Sequence, residues 1–339
     1  MIAHAPEAER HPALSFLAAA WSWLFLLILL AFFETWARIA YGISFLFNPF
    51  NLQSIALFAA MPLLLGLGQT FVIIAGGIDL SVGFVMGLAA VIMARVMQVL
   101  TPVDPALALV VGLLCALVIA VIPGLINGTL ISRLRVPAFI GTLGMYGVAR
   151  GVGFLSANGT TVPVNNPWLF AMGNGKWLGV PIPIWITVAL VLAMHWLLSQ
   201  TRFGQYTYAI GGNRMAAVRS GINVRRHTLW LYTISAVCAG VAGMIYTARF
   251  SAGAAQAGEP LLLDSIAAVV IGGASLFGGS GTVIGTVIGA LIIAVIQYGL
   301  VFINVEPFWQ FVAVGVVIIV SVLIDQSRTR LTGEVKDGD

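Results

Sequence analysis

Asp79 is the residue on which any chemistry in this sequence would turn. It stands in Ala75-Gly-Gly-Ile-Asp-Leu-Ser-Val-Gly83, between two apolar runs. A carboxylate in such a place is expensive unless it faces protein, water or a partner. The neighbouring glycines let the backbone leave the helix. Backbone freed in this way is tolerated at membrane depth only beside a cavity or against protein. Two roles stay open. Asp79 and Ser81 bind a hydroxylated solute directly, or Asp79 caps the helix that starts near Ser81, at its positive end. Gln69, Thr70 and Asn127 supply further donors and acceptors of the kind hydroxyls need. These five are the candidate pathway residues.

Other chemistries are poorly served. Lys176 and Lys336 are the only lysines, and neither follows the glycine-rich phosphate-binding pattern. ATP hydrolysis by that route is therefore not expected on this chain. His4, His11, His195 and His227 have no Glu or Cys at metal-ligand spacing, so no metal is expected. There is no Gly-x-Ser-x-Gly elbow, and an intramembrane enzyme finds no support.

A second segment stands out by its glycines and basic residues. Arg202 to Arg226 reads RFGQYTYAIGGNRMAAVRSGINVRR. Gly211 and Gly212 break any preceding helix, Asn213 caps a short helix through Arg219, and Gly221 ends it. So short a helix cannot span a bilayer. A basic loop and a helix that docks in a partner's groove are both consistent with it.

The elements that position these residues are transmembrane helices. Of 339 residues, 60% are hydrophobic and 8% charged, with mean hydropathy +1.03. Soluble domains carry roughly a quarter charged residues. The long uncharged runs lack strand-type alternation, so the expected fold is an all-α polytopic bundle rather than a β-barrel. About ten spans are expected, at 14–33, 54–75, 84–101, 106–126, 137–156, 181–198, 229–249, 262–277, 282–303 and 308–325. They form one transmembrane domain, 14–325, between tails 1–13 and 326–339, with the basic segment at 202–226. The polar lead holds Glu7, Glu9 and Arg10, the apolar stretch behind it is longer than a usual signal-peptide core, and no clear small-x-small cleavage site follows, so the first apolar run reads as an uncleaved helix.

Placing the N-terminus inside puts eleven basic residues there: Arg10, Arg133, Arg135, Arg202, Arg214, Arg219, Arg225, Arg226, Arg328, Arg330 and Lys336. Five fall outside: Arg38, Arg95, Arg150, Lys176 and Arg249. The positive-inside rule selects this orientation. The same scatter over short loops explains the net charge of +4 without nucleic acid. Cys115 and Cys238 lie in apolar runs and read as small buried hydrophobes.

An internal echo is present. Gly76-Gly77, Gly83, Val85 and Gly87 recur 202 residues later as Gly278-Gly279, Gly285, Val287 and Gly289. Six spans separate the copies, which predicts a parallel repeat. The pairs Gly83/Gly87, Gly124/Gly128 and Gly147/Gly151 and the run Gly281/Gly285/Gly289 have the small-xxx-small spacing that lets helices approach closely. Asp264, behind Glu259 and Pro260, is expected to cap a span.

Several segments resemble the inner-membrane permeases of ribose-type, monosaccharide ABC importers. They are Gly76-Gly-Ile-Asp-Leu-Ser-Val-Gly83, Asn127-Gly128, Pro137-Ala-Phe-Ile-Gly-Thr-Leu-Gly144, Gly211-Gly-Asn213 with Ala216-Ala217 and Ser220-Gly-Ile222, and Ile266-Ala-Ala-Val-Val-Ile-Gly-Gly273 with Ser275-Leu276 and Gly278-Gly279. The resemblance runs from about residue 50 to residue 325, in the family's order. It departs at Gln297-Tyr298-Gly299, and in a first outer loop with Glu34 and Arg38.

The resemblance implies a pathway formed with a second permease copy or a related permease. It also implies a periplasmic sugar-binding protein outside and separate ATP-binding subunits inside, which would hold the ATP and magnesium. Gly211, Gly212, Asn213, Ala216, Ala217, Arg219 and Gly221 would form the coupling helix that seats in the ATPase. The expected function is that of a permease subunit of a bacterial inner-membrane sugar importer. An ion-gradient-driven transporter that uses Asp79 as its ion site is the alternative.

Overall fold

The computed structural model describes residues 12–306 and 308–331, without the side chains of 12–20, 318 and 321–331. The tail 1–13 therefore falls almost wholly outside the described residues, as does 332–339.

Helix starts follow from local chemistry. Asn48 accepts from the Phe50 N–H, Asp104 from those of Ala106 and Leu107, and Asn166 from those of Trp168 and Leu169. A proline follows each cap, where its missing N–H costs nothing. These caps open α2 (Pro49–Ile74), α4 (Pro105–Ser132) and α6 (Pro167–Asn174). The remaining long helices are α1 (Pro12–Tyr41), α3 (Val82–Leu100), α5 (Ala138–Ala157), α7 (Ile182–Gln200), α10 (Val224–Phe250), α12 (Val283–Phe302) and α13 (Phe308–Leu331). Three short helices are α8 (Arg202–Gly212), α9 (Arg214–Arg219) and α11 (Glu259–Ile271).

Among the described residues, eight helices are long and apolar enough to cross a membrane: α1 from Trp21, then α2, α3, α4, α5, α7, α10 and α12. The end of the bundle that carries α8 and α9 is called the basic end below. α2, α3, α10 and α12 are buried along most of their length, and α1, α4, α5 and α7 surround them. α1 packs on α12, where the Phe33 ring lies against Gly299, and its Ser22 donates to the Ile271 carbonyl at the end of α11. Glu34 fastens the far end of α1, accepting from Arg38, from the Ser44 hydroxyl and from the N–H groups of Phe45 and Leu46.

The expected span at 262–277 is shorter as a helix. It ends at Ile271, and residues 254–258 run ahead of it as irregular backbone. That backbone is sheltered by glycines. Gly83 and Gly87 of α3 lack the Cβ atoms that would collide with the carbonyls of Gly258 and Ala255. Gly124 and Gly128 admit α10 in the same way, and Gly285 and Gly289 admit α11. Gly147 and Gly151 differ, with nothing of this chain within 4 Å of where a Cβ would stand. Asp264 is also not a cap. It sits inside α11, buried, and accepts from the Gln297 amide of α12 at 2.9 Å.

At the end opposite the basic one, β1 (Val162–Pro163) pairs antiparallel with β4 (Ala252–Gly253), joining the exits of α5 and α10. A small hairpin of β2 (Lys176–Trp177) and β3 (Val180–Pro181) lies between α6 and α7. Periodicity gave no sign of these two-residue strands. Both cysteines are free, with Cys238 buried and Cys115 half-buried.

Candidate functional site

Three glycine pairs meet at the basic end. The first is Gly76-Gly77, in the loop from α2 to α3. The second is Gly211-Gly212, where α8 ends. The third is Gly278-Gly279, in the loop from α11 to α12. The Gly279 N–H donates to the Ile74 carbonyl at 2.8 Å. A Cβ on Gly211 would collide with that same carbonyl and with the Gly279 amide. Gly278 lies against Gly76 and the Gly211 carbonyl, with φ at +88°. Three backbones come together at a spacing that side chains would forbid.

The coupling segment grows out of this junction. Asn213 ends α8 and starts α9, its side chain accepting from the Ala216 N–H at 3.0 Å. Gly221 closes α9 at φ +83°, a conformation that L side chains rarely adopt. Ala217 is buried and packs with Ile210 and Val224, while Met215 and Val218 are 64% and 52% exposed. Arg214 and Arg219 are exposed as well. The helix thus presents apolar and basic surface outward from a fixed base. Tyr208 of α8 donates to the Gly281 carbonyl at 2.7 Å. Burial raises its hydroxyl above the ordinary tyrosine range, which keeps it a donor. Between this segment and the ends of α4 and α10 lies a cavity of about 620 Å³, lined in part by Gly76, Gly77, Arg135, Arg214 and Tyr232.

The five candidate pathway residues sit deeper, and every one is buried in this conformation: Gln69, Thr70 and Asn127 at 0%, Asp79 and Ser81 at 1%. Four of them form one network. Asp79 Oδ1 accepts from the Ser81 N–H at 3.0 Å and from the Ser81 hydroxyl at 2.6 Å. Asp79 Oδ2 accepts from Ser235 of α10 at 2.9 Å. Asn127 of α4 donates to the Ser81 oxygen at 2.9 Å, and the Gln69 amide donates to the Asp79 carbonyl. Asp79 therefore ties α2, α3, α4 and α10 together and holds the first N–H at the entrance to α3. Thr70 stands apart from it, paired with the Thr286 hydroxyl of α12 at 2.6 Å. Among the described residues, Asn127 Oδ1 and Ser132 Oγ are buried without a partner, so both α4 side chains keep unused hydrogen-bonding capacity.

Sequence reasoning missed several members. Ser235 is one of many small polar residues in a helix and carries no signal of its own. Tyr208, Tyr232 and Thr286 act through the tertiary fold, and Tyr232 donates to the Ile78 carbonyl at 3.3 Å. Arg150 counts with the outer basic residues in the charge tally, yet the expected span 137–156 contains it, and the structure places it within α5, seven residues short of Ala157.

The family described as "Branched-chain amino acid transport system / permease component" matches residues 51–322. This chain belongs to that permease family. It is 40% identical over 289 residues to the ribose import permease RbsC of Bacillus subtilis, covering 84% of this chain and 87% of that one. The ribose import permease of Escherichia coli K12 is 38% identical over 309 residues, covering 89% and 92%. The fructose import permease FrcC of Rhizobium meliloti is 36% identical over 299 residues, covering 85% and 82%. No solved structure matches. The chain is thus a polytopic membrane permease of the ABC-importer type, and the family is one of transport components rather than of catalytic enzymes.

Proposed function

We propose that this chain forms the translocation pathway of an ATP-driven importer for a monosaccharide or related polyol. Two separate ATP-binding subunits, holding ATP and magnesium, dock on α9 and its flanks. A soluble sugar-binding protein delivers solute at the opposite face, and a second permease copy or a related permease completes the path. The chain sits in a bacterial inner membrane, with both termini and the basic end in the cytoplasm.

The observation that carries this reading is the glycine junction. α9 exposes Met215, Val218, Arg214 and Arg219 while its base touches the loops ahead of both α3 and α12. A push on α9 therefore reaches two helices of the buried layer at once. ATP binding on the partners would shift the populations of two pathway states by exactly such differential contact at α9. In the same reading the buried Asp79 network holds the first of those loops. Asn127, with its unpartnered oxygen, is the member with capacity to meet a solute hydroxyl when the helices part.

The test is ATPase activity in membranes that co-express this chain with its neighbouring ATPase and binding protein, across a panel of sugar-loaded receptors. Stimulation by one sugar is expected. If no ATPase associates with the chain, the gradient-driven alternative replaces this reading. A sharper test is Gly221→Pro, because proline cannot adopt φ +83°. The variant is expected to insert normally and to lose coupled uptake by at least about tenfold. Normal uptake would remove the docking role of α9.

A further inference from the structure

Arg150 is a charge in the wrong solvent. α5 is long and apolar enough to cross the membrane, and Arg150 sits in its second half with its side chain exposed. Among the described residues it makes no ion pair and no hydrogen bond, and its guanidinium lies 5.4 Å from the centroid of the Phe84 ring. A bare arginine at that depth must face water or protein, not lipid tails. The surface around it is open in the same way, with Gly147 and Gly151 on the exposed side of the helix.

The irregular segment ahead of α11 lies along this face. Ala255 packs on Gly153, and the Tyr146 hydroxyl donates to Glu259 Oε1 at 3.3 Å. Residues 255 to 259 therefore run antiparallel to α5 from residue 153 to residue 146, and Arg150 falls between the two anchor points. Gln256 and Glu259 are exposed on that stretch. A broken membrane segment exposing polar side chains is stable only where it borders a water-filled cavity or protein. Interrupted helices of this kind commonly mark solute sites in transporters.

We propose that Tyr146, Arg150, Gln256 and Glu259 form the wall of the solute pathway at mid-membrane, taking a neutral polyhydroxylated solute. Arg150 and Gln256 donate to solute oxygens, Glu259 and Gln256 accept from solute hydroxyls, and Tyr146 holds Glu259 in place. The site combines donors and acceptors with little net charge, which suits a sugar or polyol better than an ion. It differs from the Asp79 network, where the carboxylate is already spent on Ser81 and Ser235 and every member is buried. The solute class rests on the importer reading above, but the exposure of the wall to water does not.

Two measurements separate these claims. Gln256→Cys in a Cys115→Ala background is treated in membrane vesicles with a membrane-impermeant thiol reagent on both sides, beside Val118→Cys on the outward face of α4 as a lipid-facing control. Labelling of residue 256 at least about tenfold faster than residue 118 is expected, whatever energy source drives transport. Equal, slow labelling of both would overturn the proposal. In the reconstituted importer, Arg150→Gln and Glu259→Gln are each expected to lower uptake about tenfold or more, as the loss of a charged hydrogen bond does. ATPase association should be unchanged, and Arg150→Lys should recover part of the loss. Undiminished uptake in both Gln variants would also overturn it. Failure of the wild-type chain to couple to any ATPase would instead strike the importer reading and leave the labelling result standing.

Discussion

The loops before α3 and α12 share a glycine pair and a partner in each other, yet they are fastened by different means. In the first, Asp79 gathers donors from α3 and α10, and side chains of α2 and α4 complete the network. The second has glycine, Gly281, where the offset of 202 places the counterpart of Asp79. It is held by its own backbone, through the Ser275 N–H on the Ser280 carbonyl at 3.1 Å, and by Thr282, which accepts from the Gly285 N–H. It is also held by Tyr208, which comes from α8. One loop answers to the buried bundle and the other to the coupling segment. The glycine pair gives both the same tight approach, and the side chains decide which part of the molecule each obeys.

The comparison breaks most severely at the point the loops share. Gly211→Leu puts a side chain into the Ile74 carbonyl and the Gly279 amide, both backbone, so nothing nearby can rotate away. Overpacking of a filled site costs ~1–3 kcal/mol, and a backbone collision more. Little folded protein is expected after detergent extraction, as read by size-exclusion chromatography. A monodisperse variant with wild-type yield would show that the junction is looser than described.

Asp79→Ala tests the first loop alone. It strands the hydroxyls of Ser81 and Ser235 and the Ser81 N–H, at about 1–3 kcal/mol for each donor that finds no new partner. A fall in thermal stability is expected, together with reduced uptake, while the soluble receptor binds sugar as before. Unaltered uptake would leave Asp79 without a functional role. Tyr208→Phe tests the second loop and should be mildest, losing one neutral hydrogen bond worth about 1 kcal/mol. Its stability should change little. The informative readout is ATPase stimulation by loaded receptor, which should fall if α8 governs this loop and should hold if it does not.

Much of this was legible because membrane solvent leaves few choices. Long apolar runs became helices, and the capped, glycine-ended α9 was readable from Asn213 and Gly221 alone. The echo at offset 202 has its counterpart in two glycine loops, each followed by a helix leading away from the junction. What escaped depended on depth. A hydropathy window cannot tell a full helix from half a helix preceded by irregular backbone, so 262–277 was read as one span, and a tally of charges by side put Arg150 with the outer residues although its own span, 137–156, contains it. Nor can spacing say whether a glycine pair has a partner. Gly83/Gly87 packs within the chain and Gly147/Gly151 does not, although the two pairs look alike in sequence. Asp79 was visible as a costly residue, but its partner Ser235 lies 156 residues away.

The seating of α1 against α12 has a consequence for biosynthesis. Ser22 and the Ile271 carbonyl it bonds are 249 residues apart, and the α1 contact at Gly299 comes later still in the chain. At a ribosomal pace of ~5–20 residues per second, α1 waits ~12–50 s in the bilayer before its docking site has been translated. It must persist through that interval as a lone span, which its uninterrupted apolar length permits.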